Sequence, residues 1–229
     1  MSLELYTWGT PNGWKVSAYL EALGLSYELK LVNIIKGEQK LDWFLKINPN
    51  GRIPALVDNS TGITISQTGA ILQYLADTYD KKRLWSYEPG TKEYWLQQEI
   101  LIFQVAENGP IQGQANWFTF YASEDIEYAK NRYKNETKRI YGVFEKYLER
   151  NKENGLFLVG NHYSPADFAL VCWANGLERL NIDTGEYPLL KQWLEKINQL
   201  KAIQVGITKP ERKAPPPRKD NEEPFNTKL

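Results

Sequence analysis

The chain has 229 residues, 42% of them hydrophobic and 24% charged, with 28 basic side chains set against 28 acidic ones. That composition excludes collagen-like and grossly disordered chains, and the cancelling charge leaves no global field to attract nucleic acid or an anionic membrane. A single cysteine, Cys172, and a single histidine, His162, exclude an internal disulfide, a CxxC redox pair, a thiolate zinc site and a two-histidine metal site. No metal is expected. The first residues carry neither a basic n-region nor an apolar h-region, so no secretory signal is read. No apolar run approaches the roughly 18 residues of a membrane span. With a lone cysteine, these features imply a cytoplasmic protein.

Leu3–Trp8 alternates apolar and polar residues and meets the turn cluster Gly9-Thr10-Pro11-Asn12-Gly13, which predicts a strand and its stop. Val16, Leu20 and Leu23 then share one helical stripe ended by Gly24. Tyr27–Val32 resumes a strand pattern, so a parallel βαβ unit opens the chain. A short helix follows over Asp42–Ile47. Strands over residues 53–57 and 63–65 form a hairpin, and a helix runs over Gln67–Tyr79.

Past Lys81-Lys82-Arg83 the hairpin signals stop. Helical periodicity covers Tyr94–Glu107, Ile126–Arg150, Pro165–Leu180 and Leu189–Leu200. Ser164-Pro165-Ala166-Asp167 reads as a capping box with Asp in the usual Glu position. The chain therefore divides into a mixed α/β domain, residues 1–83, and an all-α domain, residues 90–208. Residues 209–229 are proline-rich with almost nothing to bury, and are expected to be a disordered tail.

Ile53-Pro54 is the first point that bears on chemistry. A proline inside a strand marks an edge or bulge, or else a cis bond that turns the Ile53 backbone toward a ligand. βαβ followed by a proline that opens a hairpin is the thioredoxin-like arrangement.

The matching stretches are Thr10-Pro11-Asn12-Gly13-Trp14-Lys15-Val16, Asn48-Pro49-Asn50-Gly51-Arg52-Ile53-Pro54-Ala55-Leu56 and Gln67-Thr68-Gly69-Ala70-Ile71-Leu72, with Asn135–Arg139 and Ser164–Asp167 in the helical half. On them the chain resembles a cytosolic glutathione transferase over residues 3 to about 205. The nearest class is the fungal and bacterial one named for the yeast nitrogen-catabolite regulator, which includes disulfide-bond reductases. The resemblance implies a thioredoxin-like N-terminal domain, an all-α C-terminal domain and a homodimer.

Glutathione offers two carboxylates, an ammonium and a thiol, and a helix N-terminus suits a carboxylate or a thiolate. The resemblance implies that Thr68 and its amide hold the γ-glutamyl carboxylate, although Thr68 also reads as a plain helix cap. Gln67 stands where relatives usually carry Glu, which implies a weaker hold on the ligand's ammonium. The Ile53 backbone beside Pro54 would pair with the cysteinyl unit, Arg52 would reach a carboxylate, and Gln39 the glycyl end. Arg132, on the long helix, is a further candidate. Nearest the sulfur would be Asn12, with Thr10 as a hydroxyl partner; Asn12-Gly13 also reads as a turn with positive φ. Tyr6 and Ser17 rank below these. Cys172 lies in an apolar run and reads as core. Trp117, Phe118, Phe120 and Tyr121 form an aromatic cluster between two helices, read equally as packing or dimer contact and as a pocket for an electrophile.

The expected activity is activation of the glutathione thiol, for conjugation to an electrophile or for reduction of disulfides or peroxides. The rival reading is a non-catalytic protein-binding module on the same fold.

Overall fold

The computed structural model describes residues 2–211. β1 (Leu3–Thr7), α1 (Pro11–Ala22) and β2 (Tyr27–Leu31) form the opening βαβ unit, with β1 and β2 parallel. After the short α2 (Asp42–Leu45), β3 (Ala55–Asp58) and β4 (Ile63–Ser66) pair antiparallel, and β3 joins β1 antiparallel. The sheet order is β2-β1-β3-β4. α3 (Thr68–Tyr79) closes the thioredoxin-like domain. The bonds before Pro54 and Pro210 are cis.

The second domain is helical: α4 (Lys92–Phe103), α5 (Gly109–Phe120), α6 (Glu127–Asn151), α7 (Pro165–Ala174), α8 (Pro188–Ile197) and α9 (Lys201–Gly206). No helix among the described residues is long and apolar enough to cross a membrane.

Three helices differ from expectation: the one expected over Pro165–Leu180 ends at Ala174, and the other two differ where they join their neighbours. The sequence pattern ends a helix at Glu107. Instead a π turn over Gln104–Asn108 joins α4 to α5. The Gly109 N–H still bonds to Gln104, and Pro110 falls at the start of the new helix, where no N–H is needed. The aromatic cluster at 117–121 thus sits mostly on a helix, not between helices. α9 is the third difference: the expected helix to Leu200 stops at Ile197 and a short helix begins again at Lys201.

One core runs through both domains, from Leu5 and Leu72 to Phe168 and Trp193. α1 is the shared element. Its Tyr19 is fully buried, its ring centroid 5.1 Å from that of Phe168 of α7 in an edge-to-face pair, and its hydroxyl donates to the Trp85 carbonyl. α9 lies on the other flank so closely that a Cβ on Gly206 would come 2.2 Å from the Ala18 Cα. The Ser17 hydroxyl donates to the Gly206 carbonyl at 2.8 Å. The chain stays docked past Thr208: Trp14 Nε1 donates to the Pro210 carbonyl at 2.9 Å, and Lys209 pairs with Glu21. The tail expected from Lys209 is therefore anchored at its start, and its remainder beyond Glu211 lies outside the described residues.

The capping box at Ser164 forms, and Asp167 does more than cap. Its buried carboxylate accepts from the Ser164 amide and hydroxyl, the Leu158 amide and Trp193 Nε1. Burial raises its pKa against the pull of those four donors.

Candidate functional site

A cavity of about 610 Å³ opens between the domains, a size suited to a small-molecule ligand. The first domain contributes Asn12 and Lys15 from α1, the loop residues Asn48, Asn50, Arg52, Ile53 and Pro54, and Gln67 and Thr68 at the start of α3. From the second domain come Val105, Gly109, Pro110, Gly113, Gln114 and Trp117 on the bent α4–α5 unit, and Trp173 at the end of α7.

Local physics explains why donors face this space. Thr10 caps α1, its hydroxyl oxygen accepting from the Gly13 amide at 3.2 Å. Gly13 is required by close approach, since a Cβ there would lie 2.3 Å from the Trp8 carbonyl oxygen. It is helical, not a turn glycine with positive φ. Asn12 is the second residue of α1, and its Oδ1 accepts from Trp173 Nε1 at 3.2 Å. With its oxygen engaged, the Asn12 amide presents its NH2 as a donor at a helix N-terminus.

At α3 the helix begins at Thr68 with Gln67 before it, and no side chain caps its leading amides. The capping reading of Thr68 is not what the structure shows. Gln67 itself adopts φ 72°, a left-handed conformation that a non-glycine residue holds only at a cost of about 1–3 kcal/mol. Asn48 shapes the intervening loop by donating to the Arg52 carbonyl at 2.6 Å.

Behind these groups lies a buried polar chain. Lys15 Nζ donates to Gln104 Oε1 at 2.7 Å and to Thr68 Oγ1 at 3.3 Å. Gln104 donates to Asn108, which donates to Gln112, and Gln112 donates to the Trp173 carbonyl. Burial pushes the Lys15 ammonium down to about 7. Among the described residues no Asp or Glu lines the cavity, so Lys15 and Arg52 are its only charged side chains. The arrangement suits an anionic ligand.

Of the residues the sequence singled out, Asn12, Arg52, Ile53, Pro54, Gln67 and Thr68 meet at this cavity. Three do not line it. Thr10 is occupied as a cap. Gln39 is buried behind the loop, its carbonyl close to Gly51. Arg132 lines a separate cavity of about 510 Å³ with Ile111, Tyr128, Asn131, Tyr133, Asn135 and Glu136. The aromatic cluster divides: Trp117 lines the first cavity, Phe118 stacks on Tyr133, and Arg179 lies over the Phe120 and Tyr121 rings. Tyr6 donates to Glu4, and Ser17 is committed to α9, so neither lines the cavity. Cys172 is buried, and burial pushes its thiol up to about 12, far from a nucleophile's range. Sequence reading missed Lys15, Gln104 and Trp173. Lys15 stands in the Thr10–Val16 stretch with no role read for it, and only packing reveals that its ammonium is buried. No cluster of three metal-ligating side chains occurs among the described residues.

A thioredoxin-like sheet domain, a helical second domain and a donor-rich cavity at two helix N-termini together define a two-domain fold built to hold a small anionic ligand. The glutathione S-transferase N-terminal domain family matches residues 1–77 and the glutathione S-transferase C-terminal domain family residues 112–201. The chain belongs to the glutathione S-transferase family. It is 43% identical to glutathione S-transferase 1 of Schizosaccharomyces pombe over 73% of this chain and 72% of that protein. It is 39% identical to the disulfide-bond oxidoreductase YfcG of Escherichia coli over 90% of this chain and 95% of that one. A glutathione transferase homologue from Lodderomyces elongisporus, solved with two glutathione molecules per subunit, superposes with a TM-score of 0.90 at 55% identity, covering 92% of this chain and 99% of that one. The transferase URE2P8 of Phanerochaete chrysosporium, solved with oxidised glutathione, gives 0.84 at 37% identity, covering 90% and 93%.

Proposed function

We propose that the chain is a cytoplasmic, dimeric glutathione-dependent enzyme that activates the ligand's thiol at Asn12. The observation that carries this reading is the paired donor geometry: the Asn12 amide at the start of α1 and the uncapped amides of α3 face one acid-free cavity. Thr68 and the α3 amides hold the γ-glutamyl carboxylate, the Ile53 backbone pairs with the cysteinyl unit, and Arg52 reaches the glycyl carboxylate. Asn12 donates to the sulfur, and the α1 dipole adds to its preference for the thiolate. Thr10 caps α1 behind Asn12, and Gln39 stands behind the loop at Gly51.

With the thiolate formed, two reactions fit the same site. In conjugation the sulfur displaces a leaving group from an electrophile, releasing that group and the thiol proton. In reduction one glutathione attacks a disulfide, a second resolves the mixed disulfide, and two thiols leave with glutathione disulfide. Trp117 and the α5 wall would receive the apolar substrate. The chain supplies no thiol of its own, since Cys172 is buried. Titration calorimetry with reduced and oxidised glutathione tests binding, and steady-state assays with an aryl halide and with a small dialkyl disulfide test the two activities. A Kd in the micromolar-to-millimolar range is expected; no heat with either form would leave only the scaffold.

A further inference from the structure

The cavity holds a charge for which the glutathione reading has so far given no work. Lys15 lies on the second turn of α1 with only 1% of its surface exposed, and no acid shares the cavity wall with it among the described residues. Burying an ammonium without an anionic partner is costly. Gln67 is neutral, so no carboxylate of the cavity wall offsets Lys15 and Arg52, and the Trp173 ring, its centroid 5.8 Å from the Lys15 Nζ, gives only a cation–π contact.

The direction of its hydrogen bonds is informative. An ammonium only donates, and both partners of Lys15 are acceptors, Gln104 Oε1 and Thr68 Oγ1. A threonine hydroxyl that receives a hydrogen keeps its own for another partner. Thr68 is the first residue of α3, beside amides that also lack a capping partner. Gln104 is held in place by its own donation to Asn108 at 2.9 Å, so the lysine cannot simply swing away with it. The other titratable group facing Lys15 is Cys172 on α7, neutral because burial pushes it up to about 12. α3 and the π turn bring only Thr68 and Gln104, and Arg52 shares the cavity from the loop.

We propose that Lys15 is a positioning residue for the γ-glutamyl carboxylate: it turns the Thr68 hydroxyl hydrogen into the cavity and supplies, from behind, the positive charge that this carboxylate needs. The inference rests on the glutathione reading and extends it, because affinity becomes tied to the protonation of a residue in the wall. Burial holds Lys15 down at about 7. A bound carboxylate favours the ammonium, so binding takes up a proton above that value and affinity falls as pH rises through it.

The probe is S-methylglutathione, whose blocked sulfur cannot ionise, titrated calorimetrically into the full chain from about pH 6.5 to about pH 8.5. Binding to the unmodified chain is expected to weaken by about tenfold across that range. Lys15→Met should bind about tenfold more weakly at the acid end and show a flat profile. Thr68→Val should also weaken binding, and the Lys15→Met effect should shrink in its background, since one acts through the other. A flat profile in the unmodified chain overturns the proposal, and so do fully additive effects of the two substitutions. If Lys15→Met fails to fold, the profile of the unmodified chain decides alone. Absence of binding by both glutathione and S-methylglutathione at every pH overturns the glutathione reading and this inference together, whereas pH-independent binding overturns this inference only.

Discussion

The two walls of the cavity are built by opposite means. The first-domain wall is almost entirely local: two helix N-termini, a proline loop and a threonine, each placed by residues within a few positions in sequence. The second-domain wall is assembled from a distance. Trp173 reaches Asn12 across 161 positions and Gln104 reaches Lys15 across 89. On the proposed reading the first wall supplies donors directly to the ligand, while the second fixes which way those donors point. Chemistry resides on one side and orientation on the other.

If the second wall depends on how α7 is held, removing its anchor should have the largest effect. Asp167→Ala leaves the Leu158 and Ser164 amides and Trp193 Nε1 without their acceptor inside the core. A loss of about 3–5 kcal/mol is expected in urea unfolding. A loss under about 1 kcal/mol would mean that α7 is held mainly by apolar packing.

The direct wall predicts a different signature. Asn12→Ala should leave unfolding nearly unchanged while turnover falls ten- to a hundredfold, since a hydrogen bond to a charged group is worth about 1.5–3 kcal/mol. The bound thiol's pKa, read from thiolate absorbance, should rise. An unchanged value would take the role away from Asn12.

α9 tests whether the flank of α1 matters as much as its tip. Gly206→Ala drives a methyl group into the Ala18 backbone, and overpacking of this kind costs about 1–3 kcal/mol. Truncation after Thr208 is milder: it removes the Pro210 acceptor of Trp14 and the exposed Lys209–Glu21 pair, worth about 1 kcal/mol together. Differential scanning calorimetry of both variants orders them. A truncation more damaging than Gly206→Ala would place the anchor in the tail instead of the helix.

The smallest effect concerns acid, at the far end of β3. Burial alone would raise the Asp58 carboxyl, but donors from Ser60, Tyr79 and Tyr74 outweigh it and hold the group down at about 2. A lowered folded-state pKa contributes stability above the unfolded carboxylate value near 4, and that stability is lost as pH falls toward 2. Asp58→Asn should flatten this part of the stability profile, leaving the neutral-pH cavity untouched. An unaltered acid limb would assign acid sensitivity to other carboxylates.

Much of the first wall was legible in the sequence because its determinants are short-range. The turn before α1, the proline loop and the start of α3 each follow from a few adjacent residues, while it was the resemblance carried by those stretches that named Asn12, Ile53, Pro54 and Thr68 together. The helix end expected at Glu107 failed for a physical reason. A π turn lets a helix pass through a glycine and a proline when neither needs an α-type bond there, and a propensity pattern carries no sign of that.

What the sequence by itself determined was the order of elements, the two-domain division and the local donor groups, since all of these depend on periodicity and capping within one or two turns. Tertiary structure alone decided that Lys15 is buried with amide and hydroxyl partners, that Trp173 orients Asn12, and that Arg132 stands apart at a different cavity. Burial and hydrogen-bond direction are properties of which surfaces meet, and a lysine five residues into a helix reads the same whether it faces water or the core.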